Sequence, residues 1–93
     1  MKTGVRIMKS FEYVIKDPVG LHARPAGLLV KKAMEYPDVD IKLQKGEKSV
    51  DAKRLFSVMS LGVKQGDCVT VFLQGKNEEQ AETDFKEFFT SNL

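Results

Sequence analysis

Between Phe11 and Phe89 the spacing of apolar residues alternates between a period of two and a period near 3.6, and this limits the possible folds more than any other feature. Phe11, Tyr13 and Ile15 alternate with Glu12, Val14 and Lys16, the pattern of a strand with one buried face. Asp17-Pro18-Val19-Gly20 then supplies turn residues. Ala26, Leu29, Val30 and Ala33 fall at i, i+3, i+4 and i+7, the buried stripe of a helix. Pro25 stands in its first turn, where a missing N–H costs nothing. Gly27 inside this helix costs about 1 kcal/mol relative to alanine, so a close-packing reason is expected. Lys31, Lys32 and Glu35 lie off the apolar stripe, and Tyr36-Pro37-Asp38 ends the helix.

Period two returns at Val39, Ile41 and Leu43, followed by a hairpin turn at Lys45-Gly46-Glu47 and a short edge strand at Lys48-Ser49-Val50. Asp51 is placed to cap a second helix, with Leu55, Val58 and Met59 on its core side and Gly62 just past its end. Phe56 does not fit that face; at 100° per residue it lies with Ser60 and Lys53, toward water. A lone aromatic on the wet side of a short helix is a docking candidate. After the turn Lys64-Gln65-Gly66-Asp67, the run Cys68–Leu73 reads as a central strand, with Cys68 a small buried hydrophobe. Asn77 caps the last helix in a capping-box spacing with Gln80, and Ala81, Phe85, Phe88 and Phe89 form its buried stripe. The order β-α-β-β-α-β-α predicts an α+β two-layer sandwich, one antiparallel sheet with all helices on one face.

The chain is long enough for one core and no more: 93 residues, 42% hydrophobic and 30% charged. Residues 9–93 are read as a single domain. Residues 1–8 are expected to be an N-terminal extension or frayed tail, since Met1–Ile7 shows no period and Met8 is a second methionine. A net charge of +2 is too small for a nucleic-acid partner, and no apolar run approaches a membrane span. One histidine and one cysteine exclude a metal site by ligand count, and Cys68 alone cannot form a disulfide framework, which fits a cytoplasmic protein. No glycine-rich nucleotide cradle is present, and no cofactor is expected.

The chemistry concentrates at Gly20-Leu21-His22-Ala23-Arg24-Pro25-Ala26. An isolated histidine is commonly a structural loop residue. Here it stands at a helix mouth, where free N–H groups and the positive dipole end favour an anion. Arg24 adds a planar fork of donors, and a neutral imidazole can take a phosphoryl group.

This stretch resembles the active-site motif of HPr, the histidine-containing phosphocarrier family of the bacterial sugar phosphotransferase system. Asp51-Ala52-Lys53-Arg54-Leu55-Phe56-Ser57-Val58-Met59-Ser60-Leu61-Gly62-Val63 resembles the second signature of that family, and Gly66 with the Val69–Leu73 strand also fits. The resemblance implies an HPr-like open-faced sandwich with a four-stranded sheet and three helices. It implies a monomeric, cytoplasmic relay component, not an enzyme in its own right. Enzyme I would phosphorylate His22 at Nδ1, and sugar-specific enzyme IIA domains would remove the group. Arg24 would neutralise phosphoryl charge, the Ala23 and Arg24 N–H groups would hold its oxygens, and Pro25 would fix the helix entry. Leu55, Phe56 and Met59 would form the docking surface, with Lys31 facing acidic partners.

Two departures stand out. Arg54 occupies the place where many Gram-positive members carry a regulatory serine, so no regulatory serine is expected and an HPr-type serine kinase should leave the chain unmodified. Val19 stands where a small polar residue is common. The alternative function is a regulatory HPr-like paralogue that acts by protein binding. A small nucleic-acid-binding module lacks both strand aromatics for stacking and sufficient charge.

Overall fold

The structure is a computed structural model and describes residues 8–93. The proposed N-terminal extension therefore lies outside the described residues, apart from an exposed Met8. The order is β1 (Lys9–Val14), α1 (Ala23–Met34), β2 (Val39–Lys45), β3 (Lys48–Asp51), α2 (Leu55–Ser60), β4 (Cys68–Gly75) and α3 (Glu78–Asn92). The element order and the single antiparallel sheet are as predicted; within the sheet the strands run β1-β4-β2-β3, with β4 in the interior and β3 at an edge, as expected for each. β1 begins two residues earlier than expected and ends before Ile15, whose side chain still completes the buried face.

Alternation in three paired strands builds the covered face. Phe11 and Tyr13 pair with Val71 and Val69, and Ile41 and Leu43 with Leu73 and Val71, so their side chains converge under the helices. Onto them packs α3, whose Phe89 meets Phe11, Tyr13 and Phe88 edge-on at ring separations of 5.8, 5.4 and 5.9 Å. Phe85 and Phe89 are fully buried. Each contributes on the order of 2–3 kcal/mol from burial alone.

The same alternation corrects the expectation for Cys68. Val69, Val71 and Leu73 claim the covered face, so Cys68 falls on the opposite, bare face and is exposed. Two caps also differ. Asp51 ends β3 instead of capping α2; its Oδ1 accepts the Lys53 N–H at 2.9 Å, and α2 begins only after Arg54. Lys53 is thereby drawn inward, and its Nζ donates to the Tyr36 and Val39 carbonyls at 2.9 and 2.8 Å instead of facing water with Phe56. Asn77 precedes α3 but gives no side-chain cap; the Glu78 carboxylate reaches back to the Gly75 N–H, and Gln80 pairs with Asp84. Gly27 is not closely packed either, since a Cβ there would meet nothing within 4 Å.

Helix α2 buries only Val58 of its six residues. Leu55 and Met59, expected on its core side, are 37% and 38% exposed, and Phe56 is 85% exposed. Ala52, Leu61 and Val63, on either side of the helix, supply the burial that the short helix itself cannot.

Candidate functional site

The site is a loop held from three distant parts of the chain. Leaving β1, the Ile15 N–H donates to the Asp67 carbonyl and the Ile15 carbonyl accepts from Gly66 N–H. Next, the Lys16 and Asp17 N–H groups share the Leu93 carbonyl at 2.6 and 2.8 Å. Asp17 Oδ1 accepts the Val19 N–H at 2.8 Å, and the Asp17 carbonyl accepts from Gly20. Gly20 takes φ +78°, and a Cβ on it would lie 2.6 Å from the Val63 carbonyl oxygen. Only glycine satisfies both demands. Leu21 then donates its N–H to that same oxygen at 3.1 Å.

His22 follows as the N-cap of α1, with extended backbone (φ −89°, ψ −173°) and its carbonyl accepting the first helical bond from Ala26. Its imidazole makes no capping bond and is exposed. Among the described residues neither the Ala23 nor the Arg24 N–H has an acceptor, and Pro25 has none to satisfy. Two unengaged donors at a helix entrance therefore stand beside a nucleophilic ring. The first turn carries no acidic residue to compete for them.

His22, Arg24 and Pro25 line one open cleft of about 290 Å³ with Asp17, Leu28 and Asn92. Asn92 carries no sequence signal, because only the packing of α3 brings residue 92 to the same cleft as residue 22. Asp17 is marked in the sequence only as a turn residue, and its place on the cleft wall likewise comes from the fold. Ala23 is exposed at the cleft edge and lines none of its wall. Further along α1, Leu28 and Lys31 continue the exposed face that Arg24 begins, at i+4 and i+7.

The residues expected to form the docking surface, Leu55, Phe56 and Met59, lie on α2. This helix packs on α1, the Val63 carbonyl beyond its end accepts the Leu21 N–H, and all three residues are exposed on it, although none of them lines the cleft of His22. The exit of α2 is tied down by lysines: Lys45 Nζ reaches the Gly62 carbonyl at 2.9 Å and Asp67 at 3.0 Å, and Lys48 Nζ reaches the Ser60 carbonyl. The Lys64 N–H, then Lys45, hold the Asp67 carboxyl below its ordinary range. Arg54 is exposed and joins no ion pair among the described residues. These residues also contain no cluster of three potential metal ligands and no helix long and apolar enough to cross a membrane.

The open-faced sandwich thus presents an exposed imidazole at the N-cap of α1, adjoining in sequence two N–H donors without acceptors, an arrangement of the class that can receive an anion. The family described as "PTS HPr component phosphorylation site" matches residues 9–91. The phosphocarrier protein HPr of Lysinibacillus sphaericus is 39% identical over 74 residues, covering 80% of this chain and 83% of that protein. Among solved structures, HPr-C-His from Thermoanaerobacter tengcongensis has a TM-score of 0.84 at 38% identity, covering 89% of this chain and 92% of the other. Crh, the Bacillus subtilis catabolite repression protein solved as a swapped dimer, has a TM-score of 0.71 at 32% identity, covering 100% and 94%. The chain belongs to the HPr family of the phosphotransferase system, whose members are phosphocarriers: components of a relay, not catalysts.

Proposed function

We propose that this chain accepts a phosphoryl group on His22 from phospho-Enzyme I and passes it to sugar-specific enzyme IIA domains during carbohydrate uptake. The observation that carries this reading is the pairing of an uncommitted imidazole with the two acceptor-free N–H groups of Ala23 and Arg24. Nδ1 attacks phosphorus, the bond to the donor breaks, and the phosphoryl oxygens settle on those donors and on Arg24. Pro25 fixes the entry to α1, so the donors point outward before phosphate arrives. Leu55, Phe56 and Met59 provide the apolar contact for both partners, and Lys31 steers their acidic surfaces. The carrier works as a cytoplasmic monomer without metal or cofactor.

Incubation with phosphoenolpyruvate and Enzyme I, followed by intact mass and acid treatment, tests the proposal. One acid-labile phosphoryl adduct is expected, and none in His22→Ala. An adduct that survives this substitution, or none in the native chain, would sink the carrier reading. The second reading is a regulatory paralogue that acts by protein binding, supported by the likeness to Crh. Under that reading the native chain takes no phosphoryl group in the same assay.

A further inference from the structure

Asp17 lines the same cleft as His22 and Arg24, yet the turn accounts for only part of its side chain. Oδ1 is engaged by the Val19 N–H. An asparagine would serve that bond equally well. Oδ2 has no donor among the described residues, and Asp17 joins none of their ion pairs. Its backbone is pinned on both sides, by the bond to Leu93 and by the turn to Gly20, so the carboxylate is held at the cleft wall. A fixed negative charge beside a site for a doubly charged group opposes tight retention and favours release.

Building on the reading of His22 as the carrier residue, we propose that Asp17 sets the lability of the phosphohistidine through its charge. When the phosphoryl group leaves, the P–N bond breaks and its electron pair returns to the imidazole nitrogen. The phosphorus joins the incoming nucleophile, either a partner's side chain or a water that gives up a proton to form inorganic phosphate. Repulsion from Asp17 is relieved along that path. The carboxylate thus raises the transfer potential of the carrier without touching the reacting atoms, while Arg24 and the helix-entrance N–H groups limit the effect.

Asp17→Asn separates charge from geometry, because the amide oxygen can keep the Val19 bond; Asp17→Ala removes both. The full chain is loaded with phosphoramidate, from which an imidazole nitrogen displaces ammonia, and decay of the adduct is followed by intact mass at neutral pH. The Asp17→Asn adduct is expected to last about tenfold longer than the native one, the scale of a like-charge contact across a wet cleft. The difference should shrink in high salt. A purely structural role predicts the reverse pattern, with Asp17→Asn like native and Asp17→Ala alone altered; that pattern, or a shorter-lived Asp17→Asn adduct, overturns the proposal. Absence of any acid-labile adduct in the native chain would overturn the carrier reading itself, a failure distinguishable from the first.

Discussion

Gly20 and Gly27 stand seven positions apart and meet opposite surroundings. At Gly20 a methyl group would press on the Val63 carbonyl and force a side chain into φ +78°. Gly20→Ala should cost about 1–3 kcal/mol, read from urea denaturation, and impair phosphoryl acceptance as the loop shifts. At Gly27 the added methyl meets open space inside a helix, so Gly27→Ala should stabilise by about 0.5–1 kcal/mol in the same measurement. Equal effects would contradict this account. The sequence alone showed that both positions are special but not why. A turn glycine advertises itself by its neighbours, whereas the space around a helical glycine depends on what packs there. His22, Arg24 and Pro25 were legible for the first reason: they cluster within four positions at a helix start. Cys68, Asn92 and the free side of Asp17 were not, because burial, cleft membership and missing partners are set by segments far away in the chain.

At the scale of elements, α1 and α3 are clamped where α1 ends. The Tyr36 hydroxyl donates to Asp84 Oδ2, while Gln80 holds the other carboxylate oxygen. Burial, and then the contact with Asp84, push the Tyr36 hydroxyl from 10.0 up to about 12. Folding therefore favours the neutral phenol. The stability this gives is intact below pH 10 and is lost as pH rises through about 12. Tyr36→Phe should lower stability at neutral pH by about 1–2 kcal/mol and flatten the alkaline decline. Urea midpoints from pH 9 upward, compared between the two proteins, check both effects; parallel curves would contradict the clamp. The existence and order of the elements were readable from periodicity, and the stripe of α3 was correct at all four residues. The caps divide: Asp51 does not cap α2, and Asn77 holds the N-cap position of α3 without a side-chain bond, since a suitable side chain near a helix start caps it only when the incoming backbone presents it.

On the scale of the molecule, the two layers divide the work. β4 lies in the interior of the sheet and supplies much of the covered face, while α1 and α2 carry the exposed residues assigned to chemistry and docking. The loop before His22 belongs to neither layer. It is stitched to residues 63, 66, 67 and 93, so its shape depends on contacts with long sequence separation. Such contacts form late, after local helices and hairpins. Competence to take a phosphoryl group should accordingly lag recovery of helical signal during refolding, as followed by stopped-flow circular dichroism and quenched phosphoramidate loading. Simultaneous recovery would argue against this dependence. Leu93 has a mechanical consequence for that loop: if its backbone oxygen is unseated, Lys16 and Asp17 lose their shared acceptor. The end of α3 and the approach to His22 therefore order together or not at all.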